Sequence, residues 1–574
     1  MKTAAKLLSL GLTVGVLATT ATVPASAADT YLDCSAAIDG DGSPAQPRNS
    51  LGSAFDLGPG DSLLLKRGTT CHGRLEVTGG GSEIQRARVG AYGSGELPQL
   101  NGTGRDAVLL VDTSNLTVGD LDISNPGTGG PIGEGDQIRN GVRVIAQAGT
   151  VSDLTISGLE IHDVDGDLTK TPEGSAAIQI SATGAAPVRF TGLHITGNQI
   201  TSVSRSAISI SGSNDLDRPD ASQAWPEASS GVVIKDNRID QVAGDGIVTR
   251  GTDGALIEGN VVSHGNLAGR PLLDPEGPMC NAGIWAFRAN NTVIRGNEVF
   301  GMEHNGCDGT GFDVDYRQDG TVIEGNYSHD NEGGFVLLCT DTATHRADVR
   351  FNLSVDDGTM INHGPCGIAD GILGDLSGIR MFNNTVVGDS PTTSIQLAVS
   401  DEMYQPGRFL FRNNLVYARQ PAGQIACGND CTHNAFFNLP PSGTHAVTAD
   451  PQLIAGYRLG PKSPLRGAGM PITGGATTDY FGNPVPATPS IGFDQTPASR
   501  PAQPTPACRK ARKARDRTIE RAADLNRKLK KLRSRHAPRM QTRSVASRLG
   551  KARAEVKRLT RVARRACRPN GGAS

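Results

Sequence analysis

The sequence predicts an all-β solenoid, a parallel β-helix, that is followed by a basic α-helical hairpin. Three observations predict this fold class: a strand–turn–strand unit recurs between residues 110 and 420, 73 of the 574 residues are glycine, and a strongly basic segment with helical periodicity closes the chain. Glycine lies well above its average frequency of about 7% without a Gly-X-Y period, which excludes collagen. Heptads are missing from most of the chain, which excludes a long coiled coil.

The repeat consists of an apolar-alternating strand, a turn that usually carries Asn, and a second apolar or β-branched stretch. The turn position recurs every 23 to 39 residues, the length of one solenoid coil. Asn suits this turn because it tolerates the left-handed conformation and because stacked Asn amides can hydrogen-bond from coil to coil. A β-propeller is the alternative, but its blades need four strands and each period here has about three. The turn positions are Leu121, Leu159, Asn198, Asn237, Asn260, Asn297, Asn326, Asn352, Asn384 and Asn414.

These features resemble the right-handed parallel β-helix proteins of the pectate lyase and polygalacturonase superfamily. The resemblance extends over about residues 30 to 497 and includes a cap segment (PGDSLLLKRGTTCHGRL), the Asn ladder and a closing segment that begins DPQLIAGYRL. It implies a cap with the first coils at 28–110, a right-handed solenoid at 111–440 and the closing segment at 441–497. It implies no single activity, because this fold hosts lyases, hydrolases, epimerases and adhesive proteins.

The N-terminus predicts export. Two lysines, an apolar run and Ala25-Ser26-Ala27 have the order of a secretory signal peptide, which we place at residues 1–27. A membrane anchor is the alternative, but the apolar run is shorter than the ~20 residues that span a bilayer. We therefore expect a secreted, extracellular protein, with attachment to the cell wall as a further option.

The ten cysteines all follow the signal peptide and predict five disulfides in an oxidising compartment. A zinc site is disfavoured because the sequence has no CxxC pair and no zinc-type Cys/His spacing. The spacing pairs Cys34 with Cys71, Cys280 with Cys307, Cys339 with Cys366, Cys427 with Cys431, and Cys508 with Cys567.

One outward face of the solenoid gathers acidic and aromatic residues. Strand alternation points Asp313 and Asp315 to the same side, and the preceding coil contributes Trp285 and Phe287 to it. Paired carboxylates beside aromatic rings suit glycosidic bond hydrolysis, in which the rings stack on the sugar and the acids act on the oxygen and the anomeric carbon. Two other interpretations stay open for the aspartates: ligands of a structural Ca²⁺, or a solvated strand face.

Two long connections flank this face and carry further candidates. The count from the ladder position to the outward residue is 25 from Asn260 to Trp285 and 16 from Asn297 to Asp313, against 11 in the coil before. Binding residues concentrate in long loops on a rigid scaffold. The further candidates are Glu303, His304 and His329 as acids or bases, Arg250 and Arg317 as substrate-binding residues, and Asp308, Asp330 and Glu332 as Ca²⁺ ligands.

The residue inventory favours hydrolysis over elimination. In the resembling lyases a Lys or Arg base works with Ca²⁺, and the mature chain before the basic segment has four lysines, none on the outward face of the second strand. The polygalacturonase motifs NTD, GHG and RIK are missing, so no catalytic residue is carried over from the resemblance. We expect a glycoside hydrolase that requires no cofactor. A Ca²⁺-dependent polysaccharide lyase and a non-catalytic polysaccharide-binding solenoid are the alternatives.

The charge of the chain is strongly divided. Residues 506–574 contain 24 Lys and Arg against 4 Asp and Glu, whereas residues 1–505 contain 32 against 54. Residues 498–507 predict a Pro-rich linker, and residues 508–568 predict two amphipathic helices broken near Pro538. We expect an anionic cell-wall polymer or surface as the partner of this module, with docking onto the acidic body as the alternative. Nucleic acid is not expected because the module has no aromatics for stacking, and we expect a monomer.

Overall fold

The computed structural model describes two compact units. It covers residues 27–130, 135–171, 173–184, 187–213, 225–269, 279–338, 346–362, 378–388, 407, 409–425, 427–497, 506–535 and 539–566. One unit comprises Met1–Arg458 and Pro464–Gln495, and the other comprises Leu459–Ser463 and Thr496–Ser574. The predicted signal peptide lies almost entirely outside the described residues.

The first unit is a parallel β-helix with three long sheets. Each coil adds one strand to a sheet, so that successive strands pair in parallel; Ser229–Ser230 and Thr252–Asp253 are additional short strands at the side of sheet 1. Sheet 1 contains Asp29–Leu32, Ser62–Lys66, Ala87–Tyr92, Leu116–Gly119, Thr150–Ser157, Arg189–Thr196, Ser229–Ser230, Val233–Lys235, Thr252–Asp253, Leu256–Glu258, Val293–Arg295, Asp319–Glu324, Arg346–Arg350, Ile379–Phe382, Phe409–Arg412 and Asp430–Thr432. Sheet 2 contains Thr70–His72, Gln99–Asn101, Asp122–Asn125, Glu160–Val164, Gln199–Val203, Arg238–Val242, Val261–Ser263, Glu298–Phe300, Tyr327–His329, Leu353–Val355, Thr385–Gly388, Leu415–Ala418 and Ala435–Phe437. Sheet 3 contains Phe55–Leu57, Leu75–Gly80, Asp106–Ser114, Asn140–Ala146, Ala176–Ala182, Ser206–Ser211, Asp245–Arg250, Ile284–Phe287, Thr310–Val314, Gly334–Leu338 and Ile361–Asn362. Two short strands, Leu453–Ile454 and Arg458–Leu459, follow the coils.

The core is built from stacked inward side chains. In sheet 3, Ile247, Ile284, Phe312 and Val336 are register partners on four consecutive coils, and all are fully buried. Burying an aliphatic or aromatic side chain of this size contributes roughly 1.5–3 kcal/mol. The long apolar stack fixes the register, since a slip by one residue would turn these side chains outward.

The predicted Asn ladder is confirmed and runs one coil further, to Asn434. From Asn198 onward each side-chain amide donates to the Oδ1 of the next ladder Asn at 2.9–3.2 Å. The expected reason for Asn was wrong in one respect. Residues just before the ladder position, among them Gly197 and Asp236, adopt the left-handed conformation, with φ of 68° and 56°. Asn is therefore required for its amide and not for its backbone freedom.

The second unit contains the predicted helical hairpin. Helices Pro506–Ser534 and Arg539–Ala566 are joined by four residues and share a small apolar core. Ile519 and Val562 belong to the predicted apolar stripes but remain 45% and 41% exposed, because they lie beyond the shared core. No helix of the described residues is long and apolar enough to cross a membrane. The core residues are Leu525, Leu529, Leu549 and Ala552.

Three of the predicted disulfides are confirmed, as expected for an exported chain. Their Cα–Cα distances are 5.2, 4.9 and 5.5 Å, within the usual range. Cys339, Cys366 and Cys567 lie outside the described residues, so the two pairings that involve them stay predictions. The confirmed pairs are Cys34–Cys71, Cys280–Cys307 and Cys427–Cys431.

Candidate active site

The register of sheet 3 builds one continuous outward row. Trp285 and Asp313 are direct cross-strand partners in this row, and Asp315 follows Asp313 by two residues on the same face. Neighbouring members of the row are separated by about 4.8 Å. The row therefore places the acidic pair beside the aromatic residues, as strand alternation predicted. In coil order the row consists of Arg143, Gln179, Ser209, Val248, Trp285, Asp313 and Leu337.

The interpretation of this face as a solvated strand surface is wrong. Trp285, Asp313 and Asp315 are only 6%, 3% and 8% exposed. The Trp285 ring packs with Val248 and Ala282. Outward residues of this row are therefore covered, and the carboxylates lie in a site of low dielectric.

The aromatic residues are held by polar and cationic neighbours. The Trp285 indole N–H donates to Oδ1 of Asp245 at 3.1 Å, and the Lys170 ammonium lies 5.2 Å from the ring centre. Phe287 contacts Trp285 edge-on at 6.3 Å, and the Arg288 guanidinium lies 5.1 Å from the Phe287 ring. Cations thus lie against both rings that the sequence suggested as a sugar platform.

Asp313 is the most strongly perturbed acid of the site. Its Oδ1 is buried and has no hydrogen-bond partner among the described residues. Burial raises the pKa of Asp313 well above its usual range, and the nearby carboxylates of Asp315, Asp308 and Asp245 raise it further, against an opposing effect of Lys170. Burial and the neighbouring carboxylates therefore both favour the protonated form of Asp313.

Asp308 is a second acid of the site with a raised pKa. It follows Cys307, whose disulfide with Cys280 joins the two long connections. Burial raises the pKa of the half-buried Asp308 carboxyl to about 6, Asp245 adds to the shift, and Lys170 and His304 oppose it. A carboxyl group that titrates near neutral pH can donate a proton under working conditions.

Asp315 has a hydrogen-bond donor and a cation nearby. Its Oδ1 accepts the backbone N–H of Tyr316 at 2.7 Å. The neighbouring Arg250 guanidinium donates to the Ser209 hydroxyl at 3.5 Å. Burial lowers the pKa of Arg250 to about 10, and repulsion from Arg205 adds to this shift, whereas attraction to Asp245 and Asp315 opposes it. Arg250 remains a cation at neutral pH, and it attracts the Asp315 carboxyl group.

The structure does not bring His329 to this site. His329 ends a strand of sheet 2, where its ring stacks on Phe300 at 4.6 Å and on Tyr327 at 4.3 Å. Its two nitrogens contact Asp330 at 2.8 Å and Glu298 at 3.4 Å. The prediction of His329 as an acid or base of this site is therefore wrong, because the strand that carries it belongs to another sheet.

The predicted Ca²⁺ ligands do not converge. Among the described residues, one group of three or more metal-type donors lies within 4.8 Å, and it consists of Asp308 with the sulfurs of Cys280 and Cys307, which form a disulfide. Glu332 is exposed and accepts the backbone N–H of His304, while Asp330 faces His329. The spacing of these acids in sequence was a poor guide, because Asp330 and Glu332 follow Asp308 by one coil and have different partners, His329 and the His304 N–H.

The remaining predicted site residues are Glu303, His304 and Arg317. Glu303 and His304 lie in the connection before Asp308, and Arg317 follows Asp315. Glu303 is half-buried and its carboxylate accepts from Asn305 at 3.3 Å, whereas His304 is exposed and its Nδ1 contacts the carbonyl of Asp308 at 2.8 Å. Arg317 is half-buried, with a left-handed φ of 54°. Glu303 and His304 thus belong to the turn that presents Asp308.

Sequence reasoning missed three charged residues of the site. Lys170 comes from the connection before strand Ala176–Ala182 and donates to the carbonyl of Cys280, which lies three coils further. Arg205 and Asp245 form an ion pair at 2.8 Å with side chains that are 4% and 0% exposed. The rarity of lysine before the basic segment was one available signal for Lys170. For the ion pair no signal existed in the local pattern.

Comparisons with known proteins identify the fold. A family model described as "Right handed beta helix region" matches residues 176–387. The native GH136 lacto-N-biosidase from Eubacterium ramulus has 25% sequence identity and a TM-score of 0.54, and the match covers 68% of each chain. Its selenomethionine derivative has 24% identity and a TM-score of 0.55 with the same coverage. The protein is therefore a right-handed parallel β-helix protein, and the predicted resemblance is confirmed at the level of the fold.

Within this class the chain is similar to lacto-N-biosidases. It is 26% identical over 501 residues to a lacto-N-biosidase of Bifidobacterium longum subsp. longum. That alignment covers 72% of this chain but 30% of the curated relative, so the chain spans about a third of the length of that protein.

Proposed function

We propose that the protein is an exported glycoside hydrolase that cleaves glycosidic bonds in a carbohydrate through Asp308, Asp313 and Asp315. The observation that carries this proposal is the contrast between three neighbouring acids. Asp308 and Asp313 have raised pKa values, whereas Asp315 lies beside Arg250 and a backbone N–H. Pairs of carboxyl groups whose environments separate their pKa values are typical of acid and base roles. The similarity to lacto-N-biosidases agrees with this reaction class.

The environments assign a role to each acid. Asp308 is the general acid, because its pKa of about 6 lies near working pH and its side chain is half-buried and within reach of a substrate. Asp315 is the nucleophile or base, since its neighbours stabilise the carboxylate. Asp313 acts in its protonated form. It donates a hydrogen bond from Oδ1 to Asp315 or to a sugar hydroxyl, and this bond satisfies the buried atom.

Hydrolysis by this set requires no cofactor, because protonation of the leaving group and attack at the anomeric carbon are both supplied by carboxyl groups. A Ca²⁺-dependent lyase remains the second candidate because Lys170, a residue of the base type, acts electrostatically on Asp308 and Asp313. A non-catalytic carbohydrate-binding solenoid is the third.

One experiment separates the three. The full chain is incubated with plant, algal and bacterial-wall polysaccharides and with a lacto-N-biose glycoside, in Ca²⁺ or in EDTA, while reducing ends and the absorbance of unsaturated uronates are recorded. We expect new reducing ends, no absorbance and no effect of EDTA. Absorbance that EDTA abolishes would replace the hydrolase by the lyase, and retained binding without turnover would identify a binding protein.

The acids are then tested singly. Asp308→Asn and Asp315→Asn should each lower kcat by about 10²–10⁴-fold, the usual contribution of a positioned acid or base. Asp330→Asn is the matched control, because this carboxylate is 68% exposed and directly follows a strand of sheet 2. Equal activity of all three variants would remove the aspartates from the mechanism.

We further propose that the helical hairpin attaches the secreted enzyme, as a monomer, to an anionic polymer of the cell wall. Three of its four acidic residues already pair with neighbouring cations in the helices, namely Asp516, Asp524 and Glu555. Of its 24 cations 17 are arginine, which binds phosphate in a bidentate manner. A phosphodiester polymer therefore fits the module better than a neutral glycan. Light scattering of the full chain tests the monomer.

A further inference from the structure

A buried chain of polar side chains connects Trp285 to the 303–309 turn that carries Asp308. It begins at Asp245, which is fully buried at the start of strand Asp245–Arg250. Its Oδ1 accepts the indole N–H of Trp285 at 3.1 Å and the backbone N–H of Ala282 at 3.1 Å. Its Oδ2 forms the ion pair with Arg205 at 2.8 Å. The Asp245 carboxylate thus binds both Trp285 and Arg205.

The chain continues through two asparagines. Nη1 of Arg205 donates to Oδ1 of Asn281 at 2.8 Å, and Nδ2 of Asn281 donates to Oδ1 of Asn266 at 2.6 Å. Nδ2 of Asn266 then donates to the backbone carbonyls of Glu303 at 2.7 Å and Cys307 at 3.3 Å. Each side chain thus donates a hydrogen bond to the next group along the chain. Both asparagines are at most 1% exposed.

The far end of the chain holds the turn that presents Asp308. The Asn305 side chain donates to the carbonyl of Asn266 at 2.6 Å, and the N–H of Gly309 donates to the carbonyl of Asn281 at 2.9 Å. Asn305 and Asp308 adopt left-handed φ angles of 42° and 48°. Such conformations persist only when surrounding contacts hold them, and here Asn266 and Asn281 supply those contacts.

This arrangement differs from the other buried amides of the solenoid. Each ladder Asn binds the next ladder Asn and a backbone carbonyl of sheet 1, as Asn352 does with Asn384 and Ile323. The ladder therefore joins equivalent positions of neighbouring coils. The chain from Asp245 to Asn266 instead joins Trp285 at one end to the 303–309 turn at the other.

We infer that Asp245, Arg205, Asn281 and Asn266 are positioning residues that hold Trp285 and the 303–309 turn in register, so that Asp308 is presented at a fixed place beside the row of sheet 3. The inference rests on the proposed function for its catalytic consequence and on the hydrogen bonds for its structural one. None of the four acts on the substrate. Their effect passes through the position and burial of Asp308.

Asn266→Ala tests the inference, with Asn352→Ala as the matched control because it also removes a fully buried amide, but from the ladder. Hydrogen–deuterium exchange of the full-length chain is followed for the backbone of residues 303–309. We expect faster exchange there in Asn266→Ala and unchanged exchange in Asn352→Ala. Unchanged exchange in Asn266→Ala, or equal acceleration in both variants, would overturn the inference. This readout does not depend on any activity.

Activity supplies the second readout once a substrate is in hand. Activity is measured well below the unfolding temperatures of the wild type and of Asn266→Ala. The variant should lower kcat by up to about 100-fold, the cost of misplacing a reacting group by about 1 Å. The alkaline limb of its pH profile should move to lower pH, because a looser turn exposes Asp308 to water. If Asn266→Ala shows altered exchange but wild-type kinetics, the catalytic part of the inference is wrong. If the wild-type protein turns over no substrate, the proposed function is wrong, and the exchange result alone decides the structural part.

Discussion

Trp285 and Asp245 are joined by a hydrogen bond of 3.1 Å from the indole N–H to a fully buried carboxylate. The ring is therefore anchored from beneath, and the Lys170 ammonium lies against it. A buried anion held by Arg205 also adds negative potential at Asp308 and Asp313. One ion pair thus influences both the aromatic and the acidic residues of the site.

Removing the charge of Asp245 should destabilise the chain. Asp245→Asn leaves Arg205 buried without a counter-ion, and breaking such a pair costs about 3–5 kcal/mol. Urea unfolding at pH 7 measures this difference in the free energy of unfolding. The control is Asp330→Asn, whose exposed carboxylate should change stability by less than about 0.5 kcal/mol. A loss at Asp245 no larger than that of the control would show that Arg205 finds another partner.

The proposed general acid predicts a pH profile. Asp308 must carry the proton that it donates, and its pKa is raised to about 6, so kcat/KM should fall as the pH rises through about 6. Lys170→Met removes a cation that lowers this pKa, so the alkaline limb should move to higher pH. Profiles measured between pH 4 and 9 on wild type and Lys170→Met check the sign of the shift. A limb that moves to lower pH would assign it to another group.

The same raised pKa values predict that ionisation of Asp308 and Asp313 lowers the free energy of unfolding. The native chain binds protons at Asp308 and Asp313 more tightly than the unfolded chain, so their contribution is fully present below about pH 4 and is lost as the pH rises through the native pKa values. Asp308→Asn should therefore raise the free energy of unfolding at pH 7 by about 1–3 kcal/mol and change it little at pH 4. Urea titrations at both pH values test this. A pH-independent gain would indicate altered packing in place of relieved ionisation.

The sequence predicted those parts of the molecule that depend on local periodicity. The alternation around Asp313 and the spacing of Asn198, Asn237 and their successors were sufficient for the outward row and the ladder, because coil stacking repeats one register. Lys170 and Arg205 could not be predicted in this way, since their positions depend on the paths of connections across several coils. The burial of the row was missed for the same reason.

The ladder provides a test of the fold itself. Asn297→Ala removes an amide that donates to Asn326 and to the carbonyl of Ile257, and it leaves buried groups without partners. A cost of about 1–3 kcal/mol is expected, the usual desolvation penalty of an unsatisfied buried group. Thermal or urea unfolding measures it. Gln199→Ala, which removes an exposed amide in strand Gln199–Val203, is the comparison and should cost less.

The charge of the hairpin predicts a salt-dependent interaction. Full-length protein should bind poly(glycerol phosphate) at low salt, with an affinity that falls linearly on a log–log plot against salt concentration, because binding releases counterions from the polymer. The triple variant Lys530→Gln, Lys551→Gln and Lys557→Gln removes three exposed cations. It should bind more weakly and lower the slope by roughly one to three units.

Total charge alone could give the same trend, and a matched variant of the solenoid separates the two explanations. Arg74→Gln, Arg238→Gln and Arg295→Gln remove three cations that lie on the surface of the β-helix. If the hairpin is the binding module, this variant keeps the wild-type slope, because local contacts and not net charge determine how many counterions are released. Equal slopes for both triple variants would show that attraction of the whole chain suffices. Absence of binding by the wild type at low salt would leave docking onto the acidic body as the role of the hairpin, since 54 acidic residues in residues 1–505 offer that surface.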